Sequence, residues 1–260
     1  MARSKPISLD WCSDMSAGYI RALLITDPII IVWTMAMWSA SMLASFVDGT
    51  GRAQHRIAGV WSRGLLRIAG VKVAVEGVEK LDPAKSYVLV ANHRSFMDTP
   101  VALGHIPLEF RFFAKHGLFH VPFIGWYLRR AGHLPVYRGD PRASVNTLVD
   151  GARLIRERGV SVLLFPEGGR TGGPMRAFKE GAAYIAIKAG VPIVPVGIVG
   201  TREILPMGSS SVRRGPVSLC VGDPIPTAGM KLRDRAELNS RLENEVARLA
   251  GLAAEAPVRA

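Results

Sequence analysis

Residues 86–98 read SYVLVANHRSFMD. The first six, 86–91, form a short run rich in β-branched and aromatic residues, the pattern of a strand. The rest is polar and opens with Asn92-His93, so the chain turns where the strand ends. Similar runs lie on both sides of it, at 72–76, 110–114, 133–137, 161–165, 193–199 and 217–221.

Helical stretches separate these runs. One begins at Asp140-Pro141, a cap residue followed by proline at the first helical position, and stops at Gly159. Its spacing places Val145, Leu148, Val149, Ala152 and Ile155 on one face. A second spans about 178–189, with Phe178, Ala182 and Ile185 inward and Gly190 as the stop. A third, about 234–250, aligns Leu238, Leu242, Val246 and Leu249. Alternation of this kind predicts an α/β domain over residues 55–250, with a mostly parallel central sheet and flanking helices. The tail, 251–260, is expected to fray.

The N-terminal residues differ. Residues 1–17 are polar and interrupted by Asp10 and Asp14, unlike a signal peptide. From Ile29 to Val47 run nineteen residues without a charge or a histidine. As a helix this run would rise roughly 28 Å, enough to cross the hydrocarbon core of a bilayer. Residues 1–54 are therefore expected to be a membrane-associating helical region. Its helix would be embedded in one leaflet and paired with residues 18–26 or 55–69. A full crossing and a buried core helix are the alternatives, and Arg21 and Arg52 give little orientation signal.

Composition narrows the partners. The formal net charge is +12, and almost all of the excess lies beyond residue 60, since residues 1–60 hold five Lys/Arg against four Asp/Glu. That balance suits anionic lipid, an acidic carrier protein or nucleic acid. Aromatic residues do not interleave with basic ones as on a base-stacking surface, so nucleic acid is not expected. Cys12 and Cys220 are isolated, which argues against a disulfide framework and for a reducing, cytoplasmic-facing location. His116 and His120 are spaced like metal ligands, but no third ligand is near them in sequence, and no metal is expected.

Chemistry concentrates after two strands. In open α/β sheets ligands bind beyond the carboxyl ends of the strands, which is where His93 falls. Histidine is suited to general-base work near neutral pH. A carboxylate five residues on, Asp98, can fold back to hold one ring nitrogen and fix its tautomer. Five residues advance a helix by roughly 140°, so His93 belongs on the turn before the helix. After strand 161–165 comes Phe165-Pro166-Glu167-Gly168-Gly169-Arg170. Small residues there let backbone approach an anion, and Arg170 brings a fork that matches phosphate oxygens.

Together these segments resemble the glycerolipid acyltransferases typified by lysophosphatidic acid acyltransferase. The family's NHxxxxD is matched by Asn92, His93 and Asp98, and FPEGTR by residues 165–170, with Gly169 in place of threonine. Residues 132–138, GHLPVYR, match a third block ending in a basic residue. Residues 191–196, VPIVPV, match a fourth, and 114–119, AKHGLF, the family's lysine-bearing segment. The resemblance covers about residues 55–225. It implies that His93 deprotonates the acceptor hydroxyl and Asp98 orients His93, with direct attack on a thioester and no acyl-enzyme. Lys115, Arg138 and Arg170 would hold the acceptor phosphate, while Glu167 and Gly168 shape that pocket. Ser95 and Thr99 would not act as nucleophiles. No cofactor is implied beyond the donor substrate, acyl-CoA or acyl carrier protein. The expected partners are membrane lipids and a lysophospholipid acceptor, at the cytoplasmic face of the cell membrane. Other lyso-lipid acceptors, a thioesterase-like hydrolase and a non-catalytic basic protein are the competing readings.

Overall fold

The computed structural model describes residues 22–137, 139–170, 173–209 and 211–252. Expectations placed on residues 1–21, on Arg138 and on 253–260 fall outside these. Among the described residues the apolar runs become seven strands: β1 (Val71–Glu76), β2 (Val88–Ala91), β3 (Phe110–Lys115), β4 (Leu134–Val136), β5 (Ser161–Leu164), β6 (Ile193–Val199) and β7 (Gly215–Val221). They form one sheet in the order β1-β7-β6-β2-β5-β3-β4. The strands from β6 to β4 are parallel, whereas β7 runs antiparallel to β6, and β1 follows β7.

Helices α1 (Asp27–Val47), α2 (Arg52–Ile68), α3 (Asp98–His105), α4 (Ile124–Arg130), α5 (Pro141–Arg158), α6 (Gly181–Ala189), the single turn α7 (Thr201–Ile204) and α8 (Arg235–Leu249) complete the chain. Successive residues of a strand face opposite sides, so each strand feeds two cores. Leu89 and Ala91 pack with Leu65, Leu66 and Val101 of α2 and α3. Val88 and Val90 pack with Ile155, Ile185 and Leu242 of α5, α6 and α8. Every residue of β2 and β5 is buried, as a sheet covered on both faces requires.

The α5 cap forms as its sequence dictates: Asp140 Oδ1 accepts from the Ala143 amide at 2.9 Å, and Gly159 closes the helix in the left-handed region at φ 62°. The expected inward face needs correcting. Ala152 and Ile155 are buried and Leu148 packs on the core, but Val145 and Val149 are exposed. The helix is turned so that Thr147 and Gly151 meet the sheet. A Cβ on Gly151 would lie 2.6 Å from the Phe113 ring, so this is the side that allows close approach. The second helix starts at Gly181, later than the spacing suggests. Phe178 is buried ahead of it, held by its amide on Glu243 and by Asn239 on its carbonyl.

Helix α1 is inside out for a helix in water. Leu24–Val47 is apolar and long enough to cross a membrane, with a mean hydropathy of 1.7. Its buried residues are Ser41, Met42 and Ser45, while Val32, Leu43 and Phe46 are each about two-thirds exposed. It packs along α2 through paired tryptophans. Trp33 Nε1 donates to the Trp61 carbonyl, and Trp61 Nε1 donates to Thr34 Oγ1, both at 3.0 Å. Gly64 makes room, since a Cβ there would sit 2.4 Å from the Trp33 ring. Farther along, Trp38 Nε1 donates to the Phe123 carbonyl and Arg130 lies over the Phe46 ring.

A buried cation anchors the β3 edge. Arg111, 2% exposed, donates to Glu109 Oε1 at 2.7 Å and to the Thr50 carbonyl at 3.0 Å. Burial first, and the Arg111 charge second, push His55 down to about 4 and His133 down to about 3. Both are neutral in the folded protein, and His133 Nδ1 accepts the Phe112 amide. The unfolded chain takes up a proton at each near pH 6.5. Their contribution is therefore complete above that pH and is lost as pH falls toward 4. Urea unfolding is expected to show a marked loss of stability between about pH 7 and pH 4.5. The loss should be smaller in His133→Asn, which keeps an acceptor for the Phe112 amide without the titration.

Candidate active site

Strand β2 ends at the centre of the sheet, between the carboxyl ends of β5 and β6. Asn92 extends the ladder by one step. Its side chain accepts the Ile198 amide and donates to the Ile198 carbonyl, each at 2.8 Å, tying the end of β2 to β6. The next residue, His93, leaves the sheet.

His93 Nδ1 lies 2.8 Å from Asp98 Oδ2. Asp98 is the first residue of α3 and is fully buried. Its Oδ2 also accepts the amides of Arg94 and Ser95 at 2.7 and 2.9 Å, and its Oδ1 accepts the Thr201 hydroxyl at 2.5 Å. A carboxylate with this many donors is an acceptor only, so the His93 Nδ1 carries the proton and Nε2 presents its lone pair outward. The imidazole is fixed a second way, by stacking on Phe165 at 4.1 Å between centroids. Its side chain is 18% exposed, so the outer nitrogen stays within reach of a substrate.

Glu167 joins the same unit. It is buried, and its Oε1 accepts the His93 amide at 2.7 Å while its Oε2 accepts the Arg176 amide at 3.2 Å. Burial raises its pKa, partly offset by those two amides and by the neighbouring His93 and Arg94. Glu167 thus holds backbone on both sides of the 165–176 loop. Gly168 sits at φ 72°, a region that favours glycine, and a Cβ there would meet the Lys179 ammonium end at 3.2 Å. The Arg170 guanidinium covers the exposed Phe96 ring at 3.3 Å, bridging the two signature loops. Lys115 ends β3 on the same edge of the sheet, two strands from β2, with an exposed side chain. The structure therefore brings His93, Asp98 and Glu167 into direct contact, and sets Arg170 and Lys115 to the β5–β3 side of them. Arg138 is not among the described residues.

Ser95 is committed elsewhere. Its hydroxyl donates to the Leu205 carbonyl at 2.9 Å and accepts the Met97 amide. Sequence spacing does not reveal Thr201, which is buried against Asp98 from 103 residues away. Its one signal is position, directly after Gly200 at the carboxyl end of β6. Among the described residues no group of three or more His, Cys, Asp or Glu is placed to hold a metal ion.

A family model described as "Acyltransferase" matches residues 72–199, which contain all of this constellation except Thr201. The chain is 38% identical over 176 residues to the chloroplastic 1-acyl-sn-glycerol-3-phosphate acyltransferase BAT2 of Brassica napus, covering 66% of this chain and 50% of that one. It is 36% identical over 193 residues to a 1-acyl-sn-glycerol-3-phosphate acyltransferase of Chlamydomonas reinhardtii, covering 73% and 57%. Over residues 72–199 the chain matches the acyltransferase family. The crystal structure of the 1-acyl-sn-glycerophosphate acyltransferase PlsC from Thermotoga maritima superposes with a TM-score of 0.76 at 27% identity, covering 90% of this chain and 96% of that one. The chain spans about half the length of the curated relatives it matches first. Within the matched residues His93 and Asp98 are already paired.

The Thr201 contact makes a direct test. Thr201→Val leaves Asp98 Oδ1 buried without its donor, a loss of about 1–3 kcal/mol in the support of that carboxylate. Turnover is expected to fall about 10- to 100-fold, the rate equivalent of that loss, with substrate KM values little changed. Thr201→Ser, which keeps the hydroxyl, should retain most of the rate. Steady-state kinetics on the purified variants check both.

Proposed function

We propose that the protein moves a fatty acyl group from a phosphopantetheine thioester, carried on coenzyme A or acyl carrier protein, to the free hydroxyl of a lysophosphatidic acid-like acceptor. The observation that carries this reading is the His93 Nδ1–Asp98 Oδ2 contact in a side chain that keeps 18% exposure, with Arg170 on the segment that leaves the neighbouring strand β5 and Lys115 at the end of β3. Nε2 takes the acceptor's hydroxyl proton while the oxygen attacks the thioester carbonyl. The C–S bond then breaks, and the imidazolium returns the proton to the leaving sulfur. Asp98 stabilises the imidazolium between these events. Arg170 and Lys115, with Arg138, hold the acceptor phosphate, whose charge matches the arginine fork. The engaged Ser95 hydroxyl supports direct transfer without an acyl-enzyme.

His93→Ala is expected to reduce transfer by about 10²–10⁴-fold, the usual contribution of a general base. Arg170→Ala should raise the acceptor KM about ten- to a hundred-fold, with the donor KM nearly unchanged. Two-substrate kinetics on folded variants measure both. A His93→Ala enzyme with more than half of the wild-type rate would remove the catalytic assignment.

The acceptor is a lipid, and the outward apolar face of α1 supports a place on the bilayer. A chain-bearing acceptor loses roughly 0.8 kcal/mol per methylene brought into water, so the enzyme is better placed at the surface where the acceptor resides. Val32→Asp with Leu43→Asp changes two exposed side chains and leaves the packed face intact. The variant should sediment far less with anionic vesicles and keep its activity on a short-chain, water-soluble acceptor. Unchanged sedimentation would dismiss α1 as the attachment.

A further inference from the structure

On the other side of the catalytic pair, beyond β6, lies a cavity of about 410 Å³ that the steps above do not use. Arg94, Arg202, Arg213 and Arg214 line it, against a single carboxylate, Glu203. Most of the remaining lining is apolar, including Leu252 near the end of α8. Arg202, Arg213 and Arg214 are exposed and make no side-chain hydrogen bond or ion pair with any described residue. Some arginines elsewhere are paired, as Arg153 is with Asp150 and Arg235 with Glu180. Others, such as Arg67 and Arg142, stand singly among the described residues. What sets Arg202, Arg213 and Arg214 apart is that they meet at one concavity. Three exposed guanidinium groups gather there with Arg94 at the margin, and such a concentration of positive charge attracts an anion.

The cavity is joined to the catalytic pair by chain. Arg94 follows His93, and Thr201, which also lines the cavity, is bonded to Asp98. With Ser95 engaged, transfer needs donor and acceptor bound together, and both carry phosphate. Two phosphate-bearing substrates held at once require two separate sets of cations. Lys115 ends β3 and Arg170 follows β5, and the Arg94 guanidinium reaches the Gly173 carbonyl of that same loop, whereas Arg202, Arg213 and Arg214 lie on the β6–β7 side. The apolar surface offers a way to tell the two apart. Trp38 of α1 rests on Phe123 and Trp126, whose side chains are both exposed, at the β3–β4 side. No residue of α1 or of 116–130 lines the cavity. A lipid acceptor thus comes from one side and a water-borne donor from the other.

We infer that this cavity binds the phosphate groups of the acyl donor's phosphopantetheine-bearing part, an assignment that rests on the acyl-transfer reading. The same phosphate chemistry reaches the site from two sources, the nucleotide end of coenzyme A or the phosphodiester of a carrier protein's prosthetic arm. Volumes of about 300–1,000 Å³ suit such ligands, and charge-assisted forks suit phosphate.

The test compares the full-length protein with the Arg213→Ala/Arg214→Ala variant, which alters exposed side chains only. The donor KM is expected to rise about tenfold or more, while the acceptor KM and the turnover at saturating donor stay near wild type. Acyl-CoA and acyl carrier protein are run as separate arms, and the arm showing the rise identifies the source. Calorimetry with coenzyme A alone gives a readout without turnover. Binding that weakens with salt and drops in the variant upholds the site for the nucleotide source. Unchanged donor constants in both arms, or a rise in the acceptor KM instead, would overturn the inference while leaving the transferase reading intact. If wild-type protein transferred from neither donor, the transferase reading would fail, and calorimetry alone would decide the cavity, with equal or absent binding in both proteins counting against it.

Discussion

One buried carboxylate organises the catalytic edge. Asp98 has no exposed surface, and an unpaired charge in such a place would be strongly unfavourable. Four donors satisfy it, and each comes from a part of the chain that must then be in place: the His93 ring, two successive amides of the turn, and a hydroxyl from beyond β6. The bonds that neutralise the burial of Asp98 are thus the ones that set the turn after β2. Glu167 repeats the device from the β5 side, holding the His93 backbone while Phe165 supports its ring. Orientation of the imidazole is therefore a by-product of satisfying two buried acids.

The outer layer obeys a different solvent. Helix α1 buries Ser41 and Ser45 and turns large apolar side chains outward. In water such a helix would lose the burial that normally holds an amphipathic helix to its domain. Against hydrocarbon the arrangement is favourable, because small and polar residues at helix contacts permit close approach and hydrogen bonding. The tryptophans that look misplaced within an apolar run have their N–H groups bonded to α2 and to the 121–126 segment. Their polar edges are spent on the protein, and their position carries no information about bilayer depth.

Much of this was legible in the sequence because it is local. Strand runs such as residues 86–91 and 161–165 are read directly, since a strand buried on both faces has to be apolar throughout. The α5 cap at Asp140 and stop at Gly159 follow from backbone chemistry alone. The His93–Asp98 pair was readable because both members lie within one turn. Where the reading missed, a distant surface decided the outcome. Val145 and Val149 face outward because Gly151 has to meet the Phe113 ring, a constraint invisible in the helix itself. Thr201 is 103 residues from its partner and joins it only because β6 lies beside β2. The late start of α6 has the same origin, in a segment held by Glu243 and Asn239 of the last helix.

The reversed direction of β7 has its own consequence. In the parallel strands the carboxyl ends reach the catalytic edge, but β7 pairs antiparallel with β6, so its amino end arrives there. The connection from α7 to Gly215 is therefore a hairpin hung from two adjacent strands, with both roots anchored in the sheet and Leu205 and Val212 packed on the core. Such a hairpin is the natural place for divergence in this fold. Insertions there would remodel one wall of the edge while the strand order, the catalytic turn and the membrane-facing layer stay as they are.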